Sequence, residues 1–174
     1  MREKAIKSIA LFGDGSSEDT ITWSKFYEYC IGLFQSLDLP LNYLGVIGGP
    51  FKSNKILRAK NAQNRLLKSF ADGAEFKSLE LYSLPDDYQI AVYDYDFYVC
   101  RTIHDDVSNI LISTSDEYFN QVNCEKLVEE LKQFIRFRSG MIFEMWNKES
   151  PQLYVAVRDS GQAFNSLKII SEFE

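Results

Sequence analysis

The chain of 174 residues has one histidine, three cysteines, four prolines and no cationic excess, with 19 Lys and Arg against 25 Asp and Glu. Each scarcity excludes something. His104 with Cys30, Cys100 and Cys124, none of them in a CxxC pair, offers too few soft ligands at usable spacing for a structural zinc site, so no metal and no cofactor is expected. An odd number of scattered cysteines reads as small apolar core residues in a reducing compartment. The formal charge of −6 argues against nucleic acid as a partner, because that affinity comes from clustered Lys and Arg. After Met1-Arg2-Glu3-Lys4 the apolar run from Ile9 to Phe12 is too brief for the core of a signal peptide. No stretch approaches the ~20 apolar residues that cross a bilayer. A cytoplasmic protein without a membrane partner is the expectation.

What is present describes an ordinary globular chain, read as a single domain over 1–174 because domains commonly run to ~100–200 residues. Ile6 to Phe12 reads as a strand, closed by Gly13-Asp14-Gly15, with Ser16 and Ser17 as helix caps. Trp23, Phe26, Tyr27, Cys30, Leu33, Phe34 and Leu37 then recur at helical spacing and predict one broad buried stripe. A strand over 41–47, a basic loop over 51–60, a helix over 61–70 and a short strand over 79–84 follow. Tyr88 to Arg101 is the longest β-rich run, with Asn109 to Ser115 as its hairpin partner across a polar loop. A helix over 124–137, a hairpin of Met141–Trp146 with Leu153–Val157, and a helix over 163–173 complete the pattern. Strands and helices mix without strict βαβ alternation, which predicts an α+β fold: a largely antiparallel central sheet with helices packed on it.

Four local patterns bear on chemistry. In Tyr93-Asp94-Tyr95-Asp96-Phe97, strand alternation puts both aspartates on one face and the tyrosines on the other. Two such carboxylates at a strand end can hold a divalent metal in transferases and hydrolases. The continuing run Phe97-Tyr98-Val99-Cys100 lacks the Gly, Ser or Thr such a turn needs; an acidic binding surface or a solvated strand face are the other readings. Gly13-Asp14-Gly15-Ser16-Ser17 meets a helix where an anion could sit, but it has no phosphate-loop lysine, and Asp14, Glu18 and Asp19 would repel one. His104 has Asp105, Asp106 and Ser108 nearby, yet nearness in sequence is not a triad. The cations Lys52, Lys55, Arg58 and Lys60 lack interleaved aromatics and read as a solvated loop. Tyr88, Tyr93, Tyr95, Tyr98 and Tyr118 fall among acids, a mixture that suits a protein partner.

The C-terminal order is a helix, then Ser139-Gly140-Met141-Ile142-Phe143, a polar turn and Ser150-Pro151-Gln152-Leu153-Tyr154-Val155-Ala156-Val157. This ending, with the N-terminal strand, the aromatic helix and the acidic balance, resembles small immunity proteins of bacterial polymorphic toxin systems. The resemblance implies a cytoplasmic, non-enzymatic protein that binds and neutralises a cognate toxin. Asp94, Asp96, Asp105, Asp106, Asp116 and Glu117, read as one hairpin-like cluster, are the expected contact surface for a basic, nuclease-type toxin domain. The alternatives are a metal-dependent transferase or hydrolase built on Asp94 and Asp96, and a non-catalytic adaptor.

Overall fold

The computed structural model describes residues 3–16, 19–53 and 55–174. The expected cap Ser17 and the expected phosphate-repelling Glu18 lie outside them. The first strand, β1 (Ala5–Asp14), buries Ile9 and Leu11 on one face and Ile6 and Ala10 on the other. A strand apolar on both sides belongs inside a sheet covered on both sides. β1 indeed lies between β6 (Val107–Thr114) and β7 (Arg136–Trp146). The full sheet has eight antiparallel strands in the order β3-β2-β4-β5-β6-β1-β7-β8, with β2 at Tyr43–Gly48, β3 at Leu57–Arg58, β4 at Phe76–Ser83, β5 at Phe97–His104 and β8 at Lys168–Phe173. Six α-helical segments accompany it among the described residues. The α+β reading holds.

The aromatic stripe forms α1 (Thr20–Ser36), with Trp23, Phe26, Tyr27, Cys30 and Phe34 buried. Its cap is Asp19, whose carboxylate accepts from the Thr22 N–H at 3.1 Å and from the Thr22 hydroxyl. α2 (Ala59–Ala71) begins inside the expected basic loop and ends at Asp72, with Gly73 at φ +71°, the left-handed conformation glycine adopts freely. α1, α2 and α5 (Cys124–Leu131) cover one sheet face. The second face carries Tyr82, Tyr95, Tyr98, Met141, Phe143 and Met145, with Tyr154 and Val155 of α6 (Pro151–Val157) over them.

Four sequence expectations fail, each for a local reason. The run from Tyr88 is not continuous strand: Ala91–Asp94 forms a helical turn, α3, because the Asp94 carboxylate accepts from the N–H groups of Gln89 and Ile90 at 2.9 and 2.8 Å. Strand structure resumes only at Phe97, so Asp94 and Asp96 do not share a strand face. The helix from Cys124 stops at Leu131, a 3-10 turn carries the chain to Phe134, and Arg136 already belongs to β7. Leu153–Val157 is helical. Ser150 caps it through the Leu153 N–H at 3.2 Å, and Pro151 stands at the first turn, where its missing N–H is no loss. The final segment is the edge strand β8 rather than a helix. The helix–hairpin ending that carries the likeness to immunity proteins is therefore a strand, a helix and a strand.

Candidate functional site

The β5–β6 hairpin separates the six expected contact residues into two groups. Asp94, Asp96, Asp116 and Glu117 flank the Phe97/Thr114 end, while Asp105 and Asp106 form the turn at the other. Seven residue steps along β5 put these ends ~23 Å apart. The expected single cluster is thus two places, divided because both strands run their full length before turning. Asp105 and Asp106 occupy a two-residue turn at φ +49° and +64°, the geometry that tight hairpins favour and aspartate tolerates.

At the first end, Asp87, Asp94, Asp96 and Lys4 line a cleft of about 560 Å³. Lys4 is drawn in from the start of β1 and donates through Nζ to the Tyr95 carbonyl at 2.6 Å. Burial lowers its pKa, opposed by Asp96 and Asp94. Partial burial pushes the Asp94 carboxyl upward, but the Ile90 and Gln89 N–H groups, with help from Lys4, hold it below the usual range. Asp96 moves the other way: burial raises it, Lys4 pulls it back, and Glu117 and Asp87 add to the rise. Asp116 is paired with Lys7 at 2.9 Å. Asp87, Asp96 and Glu117 therefore hold the least compensated charge here. In the alternative metal-binding reading of Asp94 and Asp96, one carboxylate is already engaged by two backbone donors, and no group of three or more His, Cys, Asp or Glu able to hold a metal ion occurs among the described residues.

Apolar surface accompanies these acids. Trp146, opposite Ala5 in the β1–β7 ladder, is 43% exposed, and Ile90 is 45% exposed. The Asn147 side chain holds this corner together, donating to the Tyr93 carbonyl at 3.0 Å and accepting from the Lys4 N–H at 3.1 Å. Tyr118 stands half-buried near Asp96 and Glu117; burial, then those two charges, raises its pKa. Tyr95 and Tyr98, which fall among acids in the sequence, are core rings 5.2 Å apart. Sequence reasoning missed Asp87, Ile90 and Trp146. The signal for Trp146 was an aromatic at a strand end beside the polar run Asn147-Lys148-Glu149.

The opposite end has one unexpected feature, Arg101. It alternates with Val99 and Ile103 on the face of β5 turned toward α1, is 1% exposed, and lays its guanidinium 4.3 Å from the Trp23 ring. Its Nε and Nη1 atoms, and Nε1 of Trp23, have no hydrogen-bond acceptor. Burial pushes Arg101 down to about 10, opposed by the Asp19 charge. A cleft of about 570 Å³ opens beside it, lined also by Asp14, Asp19, Asp106 and Arg136. The remaining sequence suspects are spread out. His104 is exposed and meets Asp105 at 3.1 Å, whereas Ser108 donates to the Thr102 carbonyl at 3.1 Å and not to the imidazole. Burial raises all three thiols, Cys100 to about 12, which disfavours the thiolate.

No protein-family model matches the chain, and no curated protein matches its sequence. A solved structure does share its fold: the Pseudomonas aeruginosa T6SS protein PA0821 aligns with a TM-score of 0.59 over 86% of this chain, at 11% identity. At that identity the likeness is one of fold. The chain spans less than half of that protein, whose aligned part is 43% of its length.

No helix among the described residues is long and apolar enough to cross a membrane.

Proposed function

We propose that this chain is a non-catalytic binding protein of the immunity type, which neutralises a cationic protein toxin in the cytoplasm through the Lys4 end of its sheet. The observation that carries this reading is that weakly compensated acids, Asp87, Asp96 and Glu117, and the exposed apolar side chains Trp146 and Ile90 lie at the same end of the sheet. Acids of one sign speed the encounter with a basic surface and disfavour wrong partners. An exposed tryptophan at the same end is the residue type that supplies binding energy. The shared fold with a T6SS protein supports a secretion-system setting, and the acidic charge of −6 fits a cationic partner.

The test is co-expression with the products of genes adjacent to its own, scored by growth rescue and co-purification. An Asp96→Lys, Glu117→Lys double variant should associate at least tenfold more slowly at low salt, with the difference closing as salt screens the charges. Trp146→Ala should weaken the complex by about 2 kcal/mol, roughly thirtyfold. A wild-type chain that neither rescues growth nor co-purifies with any such product defeats the toxin reading. Unchanged association by both variants would move the contact surface elsewhere on the molecule.

A further inference from the structure

We infer that the cleft at the Asp105–Asp106 end of the sheet is a carboxylate-binding site with Arg101 as its floor. This inference does not depend on what meets the acidic end. A guanidinium removed from water is costly unless its donors are paired, and unsatisfied buried polar groups are rare enough in folded proteins to need a cause. Here Arg101 Nε and Nη1 and Trp23 Nε1 are buried donors without an acceptor, while Asp19 acts on Arg101 only through space. Among the described residues the Trp23 ring and the through-space charge of Asp19 offset this cation without giving its Nε and Nη1 groups an acceptor. Its neighbours on the same strand face, Val99 and Ile103, are apolar, and an unbranched apolar side chain would fill the space over the Trp23 ring. What arginine adds is a planar donor fork, fixed in orientation by the indole beneath it.

The surroundings select the ligand's charge. Asp14 is tied to the Arg138 cation at 2.7 Å, whereas Asp19 is held by the neutral N–H and hydroxyl of Thr22 and keeps its charge toward Arg101. Arg136 adds a second cation to the lining, while Asp106 stands at the rim, where its carbonyl accepts from the Gly15 N–H at 3.0 Å. With Arg138 counted, three guanidiniums face three carboxylates here, so each charge on a ligand adds to the negative side and a monoanion is disfavoured least, a dianion or polyanion more. A carboxylate accepts from two adjacent N–H groups of a guanidinium at once, here Nη2 with either Nε or Nη1, and a cleft of about 570 Å³ admits a small free acid or one acidic side chain of a docked protein.

The experiment follows the Arg101 Nε–H resonance of the ¹⁵N-labelled protein during titration at constant ionic strength with sodium acetate, sodium phosphate or sodium chloride. A saturable shift with acetate, at least fivefold weaker with phosphate and absent with chloride, is expected. N-acetyl-glutamate amide, a carboxylate on a peptide-like body, separates the two sources. Affinity tenfold above acetate assigns the site to a protein side chain, and equal affinity assigns it to a free acid. Arg101→Met should melt at or above the wild-type temperature and lose the acetate-induced rise in melting temperature, which wild type shows. Arg101→Lys keeps the charge without the fork, and should weaken acetate at least tenfold. An acetate response no larger than chloride's, or one undiminished in Arg101→Met, overturns the site; phosphate binding more tightly than acetate overturns its assignment to a single charge.

Discussion

At the Lys4 end of the sheet, Asp87, Asp94 and Asp96 stand in or near solvent around the drawn-in Lys4, with Glu117 and the Lys7–Asp116 pair nearby; at the Asp105 end, one guanidinium lies enclosed over an indole. The first arrangement leaves charges free to meet a partner and stabilises the fold little, because water screens each of them. The second takes one charge out of water, where the cost of leaving it unpaired is severalfold larger. A single helix joins the two. α1 places Trp23 beneath Arg101 near its start and Phe34 edge-on to Phe97, 5.0 Å between centroids, near its end. Position along this one helix thus sets which end a substitution disturbs.

The largest expected effect breaks the link between the ends. Phe34 is 1% exposed, and Phe34→Ala should cost about 3–5 kcal/mol in urea melts. Amide exchange in the Phe97 region should accelerate more than exchange around Gly15; equal acceleration at both ends would mean α1 does not divide them. A smaller effect falls on the Arg101 end alone. A Cβ on Gly13 would meet the Arg136 carbonyl oxygen at 2.0 Å, where β1 passes β7 at an irregularity in the ladder. Gly13→Ala should therefore cost about 1–3 kcal/mol and blunt the acetate response, while leaving partner binding at the Lys4 end unchanged. Loss of both activities would show the ends to be coupled.

The same two regions differ in how far the sequence reveals them. Helical spacing from Trp23 to Leu37 and the paired runs around Phe97–His104 and Val107–Thr114 survive into the structure, because periodic burial is a property of the residues themselves. The acids of the Lys4 end were visible as charge, and Asp94 and Asp96 as a motif. Their environments were not, since those depend on Lys4 arriving from β1 and on the turn that Asp94 itself closes. The C-terminal third misled for a related reason: Leu153 to Val157 suits a strand as well as a helix, and Ser150-Pro151 decided for the helix. Arg101 left one trace, a cation where Val99 and Ile103 predict an apolar neighbour. Its solitude over Trp23 is a tertiary fact, set by α1 packing on β5.

The smallest effects divide the Lys4 end itself, where neighbouring aspartates have opposite surroundings. Asp94 is held below the usual carboxylate range by the Ile90 and Gln89 N–H groups and by Lys4, against a partial burial that pushes the other way. A carboxyl depressed in the folded state contributes stability above its unfolded pKa of ~4, and that contribution is lost as pH falls through the folded value. Asp94→Ala should therefore cost about 1 kcal/mol at pH 7, and the gap from wild type should narrow in urea melts taken below pH 4. Asp96 is raised, by burial first and then by Glu117 and Asp87 against Lys4. A raised carboxyl favours the folded state while protonated and costs stability as pH climbs past the ordinary aspartate range. Asp96→Asn should then be neutral or stabilising at pH 7, by no more than about 0.5 kcal/mol because the site is partly screened, and the gain should vanish in acid. Melts of the two variants across pH 3–7 would cross in sign if Asp94 shapes the turn and Asp96 is the freer charge, and parallel losses would make both aspartates structural and remove Asp96 from the proposed contact surface.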